Sequence, residues 1–318
     1  MTICVTGATG FFGAEIVREL LRLEGCSVVA LGRNEARIEQ LQSSFDVQPG
    51  RLGFEVADIV ELEAVPRGTS VIVHAAAERP PAAGSDITGM ARVNVEGTRR
   101  LLDLGVQAGC ERFLYVSTQA VYGRTGAPWS EDAPCAPETP YASTKYEGER
   151  AALEYAESLQ ITIVRPSRLY GVTPFTRWSE LPGLFARRVV DGEPLPIFGS
   201  GEQRYDLLHV SDAACLIARA IQADSTESGR VFNVGGGGSI SVNEMAETTR
   251  RLAAARGLPP VRLDRYPDRG SRSPEHLELD ISRAKRELNW APRVTVEEGF
   301  AEYIDVLMRD RQGRSANR

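Results

Sequence analysis

A chain of 318 residues, 42% hydrophobic and 25% charged, can bury a large core and has the balance of an ordinary soluble globular protein. Its net charge of -6 argues against nucleic acid as the main partner, because phosphate backbones are met by basic faces. Five scattered cysteines without a Cys-x-x-Cys, and three histidines out of helical reach of one another, leave no expected metal site and suit a reduced, cytoplasmic setting. No leader-like segment and no run of about 18 apolar residues is present, so neither secretion nor a membrane partner is expected.

The first predicted strand, Thr2 to Val5, breaks into a turn with Gly7, Gly10 and Gly13 around Phe11 and Phe12, and a helical run from Ala14 to Leu23 follows. Glycines between a strand and a helix let backbone approach a pyrophosphate, and the helix N-terminus offers unpaired N-H groups and positive partial charge, so this is a dinucleotide site. Further strands are predicted at Ser27 to Leu31, Gly53 to Val56, Ser70 to His74, Arg112 to Val116 and Ile161 to Val164, with helical periods between most of them. That alternation implies an α/β fold: a Rossmann-like, doubly wound parallel sheet over residues 1–165.

After Pro166 the prolines Pro174, Pro182, Pro194 and Pro196 punctuate shorter periodic segments. Residues 166–308 are read as mainly a smaller, mixed α/β substrate-binding lobe, with segments near 204–225 returning to the first domain. Ser241 and Glu244 stand at capping-box spacing and open a helix after the loop Gly235 to Gly238. The polar stretch 309–318 is expected to be a disordered tail.

Tyr141 and Lys145 lie four apart, before a helical run from Glu147 to Leu159, and share a helix face. A phenol of pKa about 10 needs roughly 4 kcal/mol to be half ionised at neutral pH. One ammonium about 4 Å away contributes on that order at an effective dielectric of about 20. The pair can therefore move a proton. Ser117 and Thr118 end the predicted fifth strand, at the carboxyl edge where open α/β sheets bind ligands.

Together these elements resemble the extended short-chain dehydrogenase/reductase family, also called the NAD-dependent epimerase/dehydratase family, of nucleotide-sugar-modifying type. The resemblance also takes in Asp58 and Ile59, the run His74 to Ala77, Asn94, the run Arg165 to Gly171, His209 with Asp212, and Asn233. It implies that Thr118 and Tyr141 hold the substrate oxygen, that Tyr141 exchanges its proton, and that Lys145 lowers the tyrosine pKa and holds the nicotinamide ribose. It implies that Asp58 and Ile59 flank the adenine, and that Ala75, Ala76, Asn94, Ser117 and Ser167 line the cofactor site with the glycine turn. It also suggests a homodimer built from the helix around Ala91 to Ala108 and the one following Tyr141.

Three departures bear on function. The second strand ends in Arg33 where an acid would read a ribose 2'-hydroxyl, so NADP is favoured over NAD. Gln119 and Ala120 replace the Asp-Glu pair that dehydratases carry after the threonine, so dehydration is disfavoured. Arg204 precedes Tyr205, one position before the place of the usual diphosphate arginine, and Arg168 stands where many members have asparagine. Arg168, Arg204 and Tyr205 are the candidate substrate residues, with Arg187, Arg188, Arg269 and Arg272 as further cations.

The expected function is transfer of a hydride at a secondary alcohol or ketone carbon by a nucleotide-sugar 4-ketoreductase or 4-epimerase. The alternatives are a 3-beta-hydroxysteroid dehydrogenase or dihydroflavonol-reductase-like enzyme, with Trp178, Leu181, Leu184 and Phe185 around an apolar substrate, and an NADP-sensing binding protein.

Overall fold

Seven parallel strands form the centre of the computed structural model, which describes residues 1–79, 87–124, 126–223, 227–269 and 276–316. Six are the predicted ones: β1 (Thr2–Thr6), β2 (Ser27–Gly32), β3 (Leu52–Val56), β4 (Thr69–His74), β5 (Arg112–Val116) and β6 (Gln160–Pro166). Their spatial order is β6-β5-β4-β1-β2-β3, so the chain reverses direction across the sheet between β1 and β4. Period-two alternation sends Ile3 and Val5 to one face and Cys4 to the other, and all three are fully buried. A strand covered on both faces reads as a continuous apolar run, which is how β1, β2, β4, β5 and β6 are visible in the sequence; β3 lies at the sheet edge with none of its residues buried.

Helices α1 (Phe11–Leu20) and α2 (Glu35–Gln42) follow β1 and β2. Between β4 and β5 run α3 (Ile87–Ala91), one π turn (Arg92–Glu96) and α4 (Gly97–Gln107), and α5 (Pro140–Leu153) precedes β6. Two expected helices shift. The first starts at Phe11 rather than Ala14 and stops at Leu20, because Gly10 is its extended N-cap. The helix expected at 147–159 starts at Pro140, where the Thr139 side chain accepts from Ala142 N and proline occupies the first turn. Tyr141 and Lys145 therefore sit on α5 itself.

The lobe contains β7 (Arg168–Tyr170), α6 (Leu181–Asp191), β8 (Leu195–Phe198), β9 (Arg204–Tyr205) and β10 (Leu207–His209). The chain then returns: α7 (Val210–Gln222) packs with α1, and β11 (Arg230–Val234) pairs with β6 as the seventh strand of the sheet. It leaves again through β12 (Ile240–Ser241), α8 (Val242–Ala254), β13 (Leu263–Tyr266) and β14 (His276–Leu277). The capping box forms as expected, with Ser241 Oγ accepting from Glu244 N and the Glu244 carboxylate accepting from Ser241 N.

After α9 (Ser282–Leu288), α10 (Val296–Ala316) closes a second core in which Phe185, Ile197, Met245, Phe300, Tyr303 and Ile304 are buried. The tail expected to be disordered from 309 is helical as far as Ala316, continuing a helix anchored by Tyr303 and Ile304. Arg311 in that stretch donates to the Val190 carbonyl at 2.5 Å. Residues 317–318 lie outside the described residues.

Candidate active site

A cavity of about 1040 Å³ opens at the carboxyl ends of β1, β4 and β5 and is closed on its far side by the start of the lobe. Carboxyl edges at a reversal of strand order are where open α/β sheets hold ligands. Gly7, Gly10, Phe11, Phe12, Gly13, Arg33, Asp58, Ile59, Ala75, Ala76, Ser117, Thr118, Tyr141, Lys145, Ser167 and Arg168 all line it. Asn94, Arg204 and Tyr205 do not.

The glycine turn is shaped by contacts that no side chain could share. Gly7 is left-handed at φ 68°, Gly10 N donates to Gly7 O at 2.8 Å, and a Cβ on Gly13 would lie 2.0 Å from Gly7 O. Helix α1 has no side-chain cap and no acid in its first turn. Its first N-H groups and its dipole thus suit an anion, which is the fit a dinucleotide pyrophosphate requires.

Arg33 Nη2 donates to Glu78 Oε2 at 2.8 Å, and both residues line the cavity. Asp58 turns its carboxylate to Val60 N at 3.0 Å, and Ile59 is buried. Asn94, expected in the wall, lies wholly buried behind it. Its Oδ1 accepts from Glu78 N at 2.7 Å and its Nδ2 donates to Glu78 O at 3.0 Å and to Thr144 Oγ1 at 2.9 Å, so it fixes the wall rather than forming it. A string of hydrogen bonds leads back from it to the glycine strand. The Thr98 hydroxyl donates to Asn94 O, leaving its oxygen to accept from His74 Nε2 at 2.9 Å, while His74 Nδ1 meets Thr6 Oγ1 at 2.7 Å. Burial, with nearby Lys145 adding to it, pushes the His74 pKa down to about 3, so this imidazole is neutral.

The proton-transfer group is built on α5 over β5. Lys145 is buried, with Nζ 4.1 Å from the centroid of the Tyr115 ring. Gly148 permits that closeness, since a Cβ there would lie 2.1 Å from Tyr115 Oη. Burial pushes the Lys145 pKa down to about 7; Glu149 opposes this and Arg79 adds to it. Glu149 is itself buried and held in two bonds by Arg165, Nε to Oε1 at 3.0 Å and Nη2 to Oε2 at 2.6 Å.

Tyr141 faces the cavity with the Arg79 guanidinium 5.4 Å from its ring centroid. Thr118 caps a 3-10 turn (Gln119–Tyr122), accepting from Ala120 N at 3.3 Å, which leaves its proton to donate into the cavity. Ser117 Oγ and Gln119 Oε1 are buried in this wall with no hydrogen-bond partner among the described residues. A buried polar atom in that condition suits a ligand that completes it.

On the lobe side, Arg168 lines the cavity and stacks on Tyr205, which backs it from outside the wall. Arg204 turns away, donating to Ser239 O at 2.6 Å and pairing with Glu244 at 3.1 Å, because alternation along β9 sends it to the opposite side from Tyr205. Arg187 is exposed, Arg188 pairs with Glu193, and Arg269 lies by Tyr266, all away from the cavity; Arg272 lies outside the described residues.

The apolar residues proposed for a steroid or flavonoid lobe also fail to reach it. Phe185 is buried in the lobe core, Trp178 and Leu181 pack against that core, and neither they nor Leu184 line the cavity. Instead the wall carries Arg79, Arg124 and Arg177, none of which sequence reasoning singled out. They stand in irregular segments where neither periodicity nor motif spacing distinguishes a cavity arginine from a solvated one.

Residues 3–235 match the model of the NAD dependent epimerase/dehydratase family. The chain is 33% identical to a dTDP-glucose 4,6-dehydratase of Streptomyces niveus, over 96% of its own length and 92% of that protein. It is 31% identical to a UDP-glucose 4-epimerase of Mycolicibacterium smegmatis, over 98% of its length and all of that protein. The crystal structure of a UDP-glucuronic acid 4-epimerase from Bacillus cereus in complex with NAD superimposes with a TM-score of 0.82 at 25% identity, covering 96% of this chain and 99% of that one. Dehydratases thus stand among the relatives, against the expectation drawn from Gln119 and Ala120, and the solved relative holds NAD.

Proposed function

The chain belongs to the NAD-dependent epimerase/dehydratase family, and from that premise we propose that it oxidises and re-reduces C4 of a nucleotide-linked hexose without eliminating water, as a 4-epimerase. The observation that carries this is the make-up of one wall: Thr118, Tyr141 and Lys145 supply proton transfer, while Gln119 and Ala120 stand beside them. Neither of those two can act as an acid or base near neutral pH, and elimination of water needs both.

Thr118 and Tyr141 hold the C4 oxygen. Tyr141 Oη takes the hydroxyl proton as the carbonyl forms and returns it on reduction. Lys145, one helical turn away, favours the phenolate by its charge. When bound, the nicotinamide supplies a hydride acceptor and then a donor at C4. The glycine turn and the uncapped start of α1 would hold its pyrophosphate, and Ser117 Oγ and Gln119 Oε1 offer unfilled bonds to ligand.

We favour NAD. The carboxylate of Glu78 takes up Arg33 and would face a 2'-phosphate as a like charge. The second reading, an NADP-dependent 4-ketoreductase, rests on Arg33 lying in the cavity wall at the end of β2. A homodimer through α4 and α5 is supported by Val106 and Leu153, exposed large apolar residues on those helices. No helix among the described residues is long and apolar enough to cross a membrane, and the five cysteines are free; a cytoplasmic location is the reading we adopt.

The test is direct. With NAD present, UDP-glucose, UDP-glucuronate and dTDP-glucose are followed by proton NMR at H4. Inversion on at least one of them is expected, and inertness toward all three would overturn the proposal.

A further inference from the structure

Between β7 and α6 the chain leaves the lobe, reaches across to α2 and returns. Both roots of this segment are fixed on one lobe residue: Gly171 N donates to Tyr303 Oη at 2.9 Å, and the Trp178 ring lies 5.4 Å from the Tyr303 ring. Its tip is tied to itself. Thr173 Oγ1 accepts from Phe175 N at 3.1 Å, while Thr176 Oγ1 accepts from Thr173 N and donates to Thr173 O, each at 2.7 Å. A tip bonded in this way moves as one body.

The tip meets the first domain through an exchange of partners. Arg37 of α2 sets its guanidinium carbon 4.4 Å from the centroid of the Phe175 ring, and Arg177 sets its own 5.5 Å from the centroid of Phe11, the first residue of α1. Pro174 O accepts from Gln40 Nε2 at 2.9 Å, and Phe175 is buried. Phe11, Arg37 and Arg177 line the cavity, whereas Gln40 and Phe175 lie behind it, so the segment bridges the cavity beside the uncapped start of α1.

Other arginines of the wall have other settings: Arg33 pairs with Glu78, Arg124 with Glu138, Arg79 lies over Tyr141 and Arg168 over Tyr205. Arg177 is the one that the lobe sets against α1. Burial, with Arg79 adding to it, pushes the Arg177 pKa down, and the Glu180 carboxylate stands off at 3.6 Å, so the guanidinium gains from a further anion.

We propose that residues 173–177 form a clasp over the dinucleotide, that Arg177 binds its pyrophosphate from the lobe side, and that the cofactor enters and leaves only when the tip parts from α2. This rests on the reading of the cavity as an NAD site. The clasp serves the proposed chemistry, because oxidation and re-reduction of one carbon require the same nicotinamide to stay in place between the two steps.

Two rates test it. Chasing protein-bound NADH with excess NAD in a stopped-flow fluorimeter gives release, and mixing NADH with cofactor-free protein gives entry. Phe175→Ala removes the anchor of the tip without altering the cavity wall, and should speed release and entry alike by at least about tenfold, so that affinity changes less than either rate. Gln40→Ala, an exposed change that leaves the core intact, should speed both by about two- to threefold and decides the matter if Phe175→Ala fails to fold. Arg177→Gln should speed release at least about tenfold with entry changed far less, as loss of a charged hydrogen-bonding group does, and Arg177→Lys should fall between.

Release indifferent to Phe175→Ala and Gln40→Ala, or quickened without any gain in entry, overturns the clasp alone. NADH affinity indifferent to Arg177→Gln overturns the pyrophosphate contact. Wild-type protein that binds neither NAD nor NADH overturns the cofactor reading and the clasp with it.

Discussion

Lys145 places its Nζ 4.1 Å from the centroid of the Tyr115 ring, and this buried aromatic floor carries the ammonium that Tyr141 needs above it. The arrangement sets stability against function. Burial is the largest influence on the Lys145 pKa and brings it to about 7 from an ordinary 10.5. In the unfolded chain the amine keeps its proton up to about pH 10.5, so wild-type stability falls as the pH drops from there to about 7, with the full penalty present below.

Lys145→Met should therefore be more stable than wild type, by more than about 1 kcal/mol near pH 6, with the gain shrinking toward pH 10. Turnover should fall at least about 100-fold. Urea denaturation at the two pH values, beside a turnover assay, checks both. A variant less stable than wild type near pH 6 would show that the lysine is held there for structure.

Glu78→Gln should free Arg33 while leaving the backbone bonds of residue 78 to Asn94 in place. The pair is substantially exposed and surface pairs are worth about 0–1 kcal/mol, so the ratio of NADP to NAD affinity should move toward NADP by several-fold rather than by orders of magnitude. Fluorescence titration with both reduced cofactors measures the ratio. No movement would mean that Glu78 has no part in the choice.

His74 should make the fold acid-sensitive in a defined window. Its pKa drops from 6.5 to about 3 on folding. As the pH falls through that interval the unfolded chain gains a proton that the native state refuses, and stability declines by up to about 1.4 kcal/mol per unit on its account. His74→Gln should lose stability at neutral pH, by breaking the string between Thr6 and Asn94, yet show a shallower decline toward acid. Urea midpoints near pH 7 and pH 5 for both proteins give the two slopes, and equal slopes would contradict a neutral buried imidazole.

Five of the seven sheet strands, β1, β2, β4, β5 and β6, were legible in the sequence because each is buried on both faces and written as an apolar run, while the edge strand β3, with no buried residue, was legible only from its short apolar and β-branched composition. The seventh, β11, was not, since it joins the sheet from beyond the lobe and its pairing with β6 is a matter of topology. The glycine turn, Thr118, Tyr141 and Lys145 were legible because strict local geometry demands those residue types. Arg79 and Arg177 were not legible, because an arginine in a loop becomes a cavity residue only through what packs around the loop. Asn94 was placed one layer too far forward: its π turn and its bonds to Glu78 emerge only when α3 and α5 are packed together. The Arg33 reading lacked one partner, Glu78, which lies 45 residues further along the chain.

The central claim is C4 oxidation and reduction without loss of water, and the mass of the product tests it most directly. A UDP- or dTDP-hexose carrying deuterium at C4 should be converted, with NAD, into a C4 epimer of unchanged mass that keeps its deuterium, and Tyr141→Phe should abolish the conversion. A product lighter by one water, a 4-keto-6-deoxy sugar, would contradict the account. It would show that Gln119 and Ala120 do not prevent elimination at this site.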